Sequence, residues 1–256
     1  MTPFLPILTF HAIDDQASVI SFPPRVFNRG MALLHDNGYR TLSLVELVSY
    51  LHRGVPFPER YFAITFDDGY RSVYDQAFPI LHHYGFSATL FLTTGESGDC
   101  MDRARLPSMS GRPMLSWSEI KEMHRCGIEF GAHTLTHPDL TRLPEMLLTT
   151  EILGGKAVIE DALGGAVATF AYPFGRYDNR SRELVSHYFV CACSDELGLV
   201  RPGSDVYAME RVDAYYLRTE RLFAAMSKRL FPLYVRARAV PRQLRRALQG
   251  CTSHKF

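Results

Sequence analysis

Short runs of apolar residues recur along the chain and are separated by longer amphipathic stretches. The apolar runs cover residues 7–10, 62–66, 89–92, 128–130, 169–172 and 189–192, and weaker runs lie at 39–42 and 207–212. Several are apolar almost without alternation, which is typical of strands buried on both faces in parallel sheets. The pattern therefore predicts a largely parallel sheet.

The stretches between these runs have helical periodicity. They predict helices over residues 24–37, 44–51, 72–84, 116–126, 147–163 and 180–187. Ser43 and Ser116 are favourable N-cap residues, and Glu119 follows Ser116 at the spacing of a capping box. Alternating strands and helices predict an α/β fold, and the number of units favours a barrel, which commonly takes about 200–250 residues.

The composition changes after Ala214. Of the 28 basic residues ten lie from Leu217 onward, with one of the 27 acidic residues, so the preceding part of the chain has an excess of acidic residues. This distribution predicts a barrel domain over 1–216 and a basic, partly helical extension over 217–256. An acidic body with a basic end is unlike a nucleic-acid-binding domain, and we expect no nucleic-acid partner.

The extension has a helical pattern of its own. Apolar residues occupy every fourth position from Leu222 to Leu230, which predicts a helix over 218–230 that Pro232 and Pro241 then interrupt. Such an apolar stripe packs on the barrel in one interpretation. In the other, the stripe and its basic neighbours attach to an anionic membrane surface or an acidic partner.

Targeting and redox features are few. The first residues have neither the basic start nor the long apolar segment of a signal peptide, and no membrane-spanning apolar run occurs. The five cysteines follow neither a zinc-ribbon spacing nor a disulfide framework, which favours a reducing compartment. We expect a cytoplasmic location, with peripheral contact at the inner face of the membrane through the extension. The sequence does not define the oligomeric state.

Chemically active or turn-forming residues follow four of the predicted strands. They are, in chain order, His11, the pair Asp67 and Asp68, the pair His133 and His137, and the turn 173–175. In parallel α/β folds the C-terminal ends of the strands converge on one face, which carries the active site. We therefore expect these residues to line one cleft.

The pair of aspartates and the pair of histidines together indicate a metal site. A helical turn would place the imidazoles of His133 and His137 on one face, close enough to share a metal ion, although the Glu of the metalloprotease pattern is absent. Carboxylates after a buried strand need a positive partner or a hydrogen-bond network, and a divalent cation is such a partner; the other interpretation is a helix N-cap with a surface Asp. Because Gly69 permits a turn, one of Asp67 and Asp68 can bind the ion while the other acts as a base.

His11 has two interpretations. It is either a core histidine or, because it follows a buried strand, a catalytic acid. Histidine titrates close to neutrality, which suits proton donation there.

Three segments together resemble the polysaccharide deacetylase family, the NodB-homology carbohydrate esterases. They are 65–69 (TFDDG), 133–137 (HTLTH) and 172–175 (YPFG), and the resemblance extends over roughly residues 5–213. It implies a distorted (β/α) barrel of seven or eight strands. It also implies that Asp67 is the catalytic base and that Asp68, His133 and His137 bind a divalent metal. Zn²⁺ is expected, with Co²⁺ or Ni²⁺ as alternatives.

The chain departs from the common family pattern in two ways. Ala171 occupies the position of a family Arg, and the late Leu-x-His segment that carries the acid is missing. The early His11 resembles the branch that deacetylates poly-N-acetylglucosamine. In a closed barrel the first and last strands are neighbours, so His11 can fill the place of a late histidine. Arg211 is a candidate substitute for the missing Arg.

The predicted function is metal-dependent removal of N-acetyl groups from a polysaccharide or oligosaccharide of N-acetylated hexosamine. The resemblance places a backbone N–H near Phe174 at the developing oxyanion, and we include Pro173 in the substrate site. Tyr70, Trp117 and Tyr172 are candidates for a sugar-stacking wall or for plain packing. Alternatives are an O-acetyl esterase or a deformylase acting on a lipid-linked sugar, and a non-catalytic glycan-binding protein. Adjacent carboxylates fit a glycoside hydrolase poorly, because its carboxyl groups flank the bond about 5–10 Å apart.

Overall fold

The computed structural model describes residues 4–95, 105–107, 109 and 111–252, with side chains described as far as residue 242. Cys100 and residues 253–256 of the predicted extension lie outside these ranges. The strands of the described part are β1 (Ile7–Phe10), β2 (Ala12–Ile13), β3 (Ser21–Phe22), β4 (Arg40–Thr41), β5 (Tyr61–Phe66), β6 (Thr89–Leu92), β7 (Glu129–Ala132), β8 (Thr169–Ala171), β9 (Cys191–Leu197) and β10 (Met209–Asp213).

Seven of these strands close into a parallel barrel. Its order is β1-β10-β9-β8-β7-β6-β5, and β5 pairs back onto β1, with β4 added beside β5. The register places Leu8 opposite both Ile64 of β5 and Val212 of β10. The predicted α/β barrel of seven or eight strands is therefore confirmed, and the first strand lies between the fifth and the last.

Helices connect the strands and cover the outside of the barrel. They are α1 (Pro24–Asp36), α2 (Leu44–Arg53), α3 (Phe78–Tyr84), α4 (Trp117–Arg125), α5 (Glu145–Leu163), α6 (Asn179–Tyr188), α7 (Glu220–Ala224) and α8 (Phe231–Thr252). Capping boxes begin α2 at Ser43 and α4 at Ser116. The sequence predicted the box at Ser116 and only an N-cap at Ser43. The predicted helix 72–84 instead begins with a π-helical turn, Val73–Ala77, before α3.

The C-terminal extension differs from its prediction. The expected helix 218–230 is divided into α7 and a 3-10 turn, Ala225–Ser227. Neither proline stops α8: Pro232 is its second residue, where a backbone N–H has no helical partner, and Pro241 lies inside it. On either side of Pro241, Ala239 is buried and Arg242 donates to Asp195.

Phe231, Val235 and Ala239 form the buried stripe of α8. Residues at this spacing share one helix face, so α8 packs on the body of the protein. Its other side exposes Leu233 and Val240. Contact of this side with an anionic membrane stays a prediction. Among the described residues, no helix is both long and apolar enough to span a membrane.

Candidate active site

A carboxylate and two imidazoles converge at the C-terminal mouth of the barrel. Oδ1 of Asp68 lies 3.6 Å from Nε2 of His133 and 3.6 Å from Nε2 of His137. The two Nε2 atoms are 3.1 Å apart. Asp68 follows β5 and both histidines follow β7, so two strand ends bring together the three residues that the sequence assigned to one metal ion.

The backbone reaches this arrangement through left-handed conformations. Asp68 has φ 76°, and Gly69 continues the turn with φ 88°. Thr134 and His137 have φ values of 69° and 58°. The predicted helical turn at 133–137 is therefore wrong, because a tight non-helical loop, and not the helical period, directs both imidazoles to one point. Strained φ values of this kind cluster at functional sites.

The donor atoms fit a cation. Nδ1 of His133 donates to the carbonyl oxygen of Ala171 at 2.6 Å, which leaves the lone pair of a neutral ring on Nε2. Burial and the neighbouring His133 lower the pKa of His137 to about 4, so the ring of His137 is neutral near pH 7. Oδ1 of Asp68 is buried and accepts no hydrogen bond from the described residues. Asp68, His133 and His137 thus form a group that can bind a metal ion.

Asp67 is not part of this group of three residues and instead pairs with Arg211. Nη1 and Nη2 of Arg211 donate to the two carboxylate oxygens at 2.7 and 2.8 Å, and its Nε donates to the carbonyl of Ser194. Burial alone raises the pKa of Asp67, but Arg211, with smaller contributions from His133 and His11, lowers it well below its usual range. Asp67 is therefore an ionised carboxylate with a fixed orientation.

His11 lies on the other side of Asp67. Its Nε2 is 3.9 Å from Oδ2 of Asp67, and 29% of its side chain is exposed. The closed barrel explains this position, since β1 pairs with β5 and with β10. An early histidine thus reaches the same site as Asp67 and Arg211.

A cleft of about 430 Å³ contains this group. Tyr70 and Tyr172 line it but are buried, and Phe174 lines it with its ring exposed and 4.6 Å from the ring of His137. Pro173 is buried and does not line the cleft. Trp117 is absent from the lining and packs, partly buried, against the hydrophobic core at the start of α4.

The cleft also contains charged residues that sequence reasoning did not select. Arg242 of α8 donates to Asp195 at 2.8 Å and lies 3.6 Å from Asp213, and all three line the cleft. Asp213 could have been found, because it directly follows the predicted strand 207–212. Asp195 lies in β9, which extends beyond its predicted end, and nothing in the sequence indicates that Arg242 returns to the barrel mouth.

The model of the polysaccharide deacetylase family matches residues 54–189, more than half of the chain. This chain belongs to the polysaccharide deacetylase family. The match confirms the resemblance and identifies the chain as a hydrolase, and it includes Asp67, Asp68 and both histidines. His11, Arg211 and Arg242 lie outside the matched range.

Known proteins resemble this deacetylase over most of its length. A Bacillus subtilis protein, YxkH, whose name assigns it to the same family, is 29% identical over 90% of this chain and 76% of its own. The poly-beta-1,6-N-acetyl-D-glucosamine N-deacetylase of Staphylococcus aureus is 26% identical over 73% of this chain and 65% of its own. The structure of the Streptococcus pyogenes deacetylase PplD in complex with acetate superposes with a TM-score of 0.74 at 25% identity, over 83% of this chain and 93% of PplD.

Proposed function

We propose that this deacetylase is a metal-dependent enzyme that removes N-acetyl groups from a polysaccharide or oligosaccharide of N-acetylated hexosamine. One observation carries the proposal. Oδ1 of Asp68, which accepts no hydrogen bond from the described residues, and the Nε2 atoms of His133 and His137 meet beside a second, separately held carboxylate, Asp67. This arrangement provides a cation site and a base within one cleft.

Asp68, His133 and His137 would hold the cation, for which we propose Zn²⁺, while Co²⁺ and Ni²⁺ suit the same ligands. A bound divalent cation supplies a water molecule of lowered pKa and polarises the acetyl carbonyl. Three protein ligands leave coordination positions open, as catalytic sites require.

Asp67 is placed to take the proton from the attacking water. Arg211 occupies both of its oxygens, which keeps the carboxylate ionised and fixes its direction. His11 lies close to Asp67 and partly exposed to the cleft, where it can donate a proton to the departing amine. An amine needs this proton more than an alcohol does, so a positioned acid favours an amide over an ester substrate.

The comparisons support the choice of sugar. The Staphylococcus aureus relative is named for the N-deacetylation of poly-beta-1,6-N-acetyl-D-glucosamine, and it aligns with 73% of this chain. The acid that follows β1 agrees with the branch that the sequence resembles. We therefore propose a polymer or oligomer of N-acetylglucosamine as the substrate class.

Acetate release tests the proposal. Metal-depleted protein supplied with Zn²⁺, Co²⁺ or Ni²⁺ is incubated with N-acetylglucosamine oligomers of different linkages and with O-acetylated glycans. We expect metal-dependent acetate release from the N-acetylated oligomers, without shortening of the glycan. Release from O-acetylated glycans alone would contradict the amide assignment, and equal release after metal depletion would contradict metal dependence.

A further inference from the structure

The loop that carries the two histidines, residues 133–137, has an unfavourable backbone. Thr134 and His137 are both left-handed without being glycine. Such conformations persist only where the surroundings fix them. Inside the loop, Oγ1 of Thr134 accepts the N–H of His137 at 3.0 Å. This hydrogen bond does not involve the middle of the loop, residues 135 and 136, whose contacts come from other elements.

Glu151 of α5 holds that middle. Its Oε2 accepts the N–H groups of Leu135 at 3.0 Å and Thr136 at 2.9 Å. Its Oε1 accepts the hydroxyl of Thr136 at 2.6 Å. The main-chain oxygen of Glu151 also accepts from the N–H of Leu135 at 3.1 Å. The carboxylate is therefore bonded to the two residues that lie between the histidines.

Two glycines on the same helix let the loop approach this closely. A Cβ added to Gly155 would lie 2.8 Å from the carbonyl carbon of Thr134, and one added to Gly154 would lie 2.7 Å from Cδ1 of Leu135. Consecutive glycines lower the helical propensity of a 19-residue helix such as α5. The close approach of the loop explains their presence.

The opposite side of the loop is also fixed. The N–H groups of Thr94 and Gly95, after β6, donate to the carbonyls of Thr134 and Leu135 at 3.3 and 2.7 Å. The loop thus lies between the end of β6 and one face of α5. Glu151 supplies side-chain hydrogen bonds to it from the α5 side.

We propose that Glu151 is a positioning residue for the metal site. Its carboxylate holds the loop in the conformation in which the imidazoles of His133 and His137 converge, and Gly154 and Gly155 provide the space. This inference rests on the proposed metal-dependent function. Glu151 lies outside the three segments on which the family resemblance depends, and it acts through hydrogen-bond geometry and not through its charge.

Two variants of Glu151 separate geometry from charge. Glu151→Gln keeps an oxygen that can accept both N–H groups, and its amide can donate to the Thr136 hydroxyl oxygen. Glu151→Ala removes all three contacts. Zn²⁺ affinity is measured by competition with a chromophoric chelator, so the readout does not depend on activity. We expect a 10–100-fold weaker Zn²⁺ affinity for the alanine variant and near wild-type affinity for the glutamine variant.

Glu160 provides a matched control on the same helix. It accepts the N–H of Val167 at 2.9 Å and pairs with Lys156 at 2.7 Å, further along α5 than the residues whose contacts with the loop are described above. Glu160→Ala is expected to lower thermal stability without changing Zn²⁺ affinity. If both alanine variants leave Zn²⁺ affinity unchanged, or weaken it equally, the inference is overturned, as it is if Glu151→Gln binds as weakly as Glu151→Ala. Absence of Zn²⁺ binding by the wild type would instead contradict the proposed function.

Discussion

Arg211 donates to both carboxylate oxygens of Asp67, although 144 positions separate the two residues in the sequence. Arg211 lies in β10 and Asp67 follows β5, and β1 pairs with both strands. The guanidinium thus comes from a different strand than the Arg that the common family pattern places at the position of Ala171. Asp67, the proposed base, is oriented all the same, because a barrel interior can be reached from any of its strands.

Removal of this guanidinium should change the pH dependence of activity. In Arg211→Met the burial that raises the pKa of Asp67 remains, while the main contribution that lowers it is gone. The carboxylate then takes up a proton at higher pH, so the acidic limb of kcat/KM should move up by about 1–3 pH units. A pH–rate profile measures this shift.

Arg211→Lys serves as the control for that profile. Lysine retains the charge but loses the bidentate geometry, so kcat should fall with a smaller displacement of the acidic limb.

The lowered pKa of Asp67 also makes the free energy of unfolding depend on pH. The lowered pKa of Asp67 contributes stability at pH values above about 4, and this contribution is lost as pH falls through the native pKa. An unchanged acidic limb in Arg211→Met would show that Asp67 is not the titrating base.

His11→Ala tests the proposed acid. Loss of a positioned proton donor should lower kcat by about 10²–10⁴-fold on an N-acetyl substrate. The loss should be much smaller on an activated acetyl ester, because its leaving group departs without a proton. Parallel kinetics on the two substrates measure this difference, and full amide activity in the variant would remove His11 from its role.

Asp68→Asn should separate stability from metal binding. In the absence of metal, the wild type buries a carboxylate oxygen without a hydrogen bond, whereas an amide at this position can donate to an imidazole nitrogen. The variant should therefore unfold at an equal or higher temperature without metal. Zn²⁺ at about 100 times its Kd should stabilise the wild type by about 2.7 kcal/mol and the variant hardly at all.

An exposed histidine that does not line the cleft provides the comparison in that experiment. His82 lies in α3 with its side chain at the surface. His82→Ala should keep the whole Zn²⁺-dependent rise in Tm. A rise that persists in Asp68→Asn, or that disappears in His82→Ala, would place the metal elsewhere.

Removal of α8 should destabilise the barrel and open the cleft. A chain ending at residue 229 loses the burial of Phe231 and Val235, each contributing about 1.5–3 kcal/mol. It also leaves Asp195 and Asp213 without Arg242 at the cleft. Denaturant unfolding should show a loss of several kcal/mol. A chain ending at residue 242 keeps the described contacts and should retain its stability, and equal stability of the two would show that α8 does not support the body.

The sequence alone was sufficient to predict the barrel and the site residues at the ends of its strands. Asp67, Asp68, His133 and His11 directly follow strands or lie one loop beyond them, and strand position in a parallel fold determines which face they reach. The apolar runs alone indicated those strands. Arg211 could be only a candidate, because its contact with Asp67 depends on the register between strands that are distant in the sequence.

Two features depended on tertiary contacts that periodicity does not encode. The 133–137 loop is held in left-handed conformations by α5 and by the end of β6, whereas its spacing suggested a helical turn. The extension packs through one stripe of α8 and returns Arg242 to the cleft, although two prolines suggested an interruption. Tertiary contacts, including hydrogen bonds, outweigh the local preference in both cases.

The central claim is that Asp68, His133 and His137 bind one metal ion. A crystal of the Zn²⁺-supplied protein, measured on both sides of the zinc absorption edge, locates that ion directly. The account predicts one anomalous peak at about 2.0–2.2 Å from a carboxylate oxygen of Asp68 and from Nε2 of both histidines. A peak bound by other residues, or no peak at this group under saturating Zn²⁺, would contradict it.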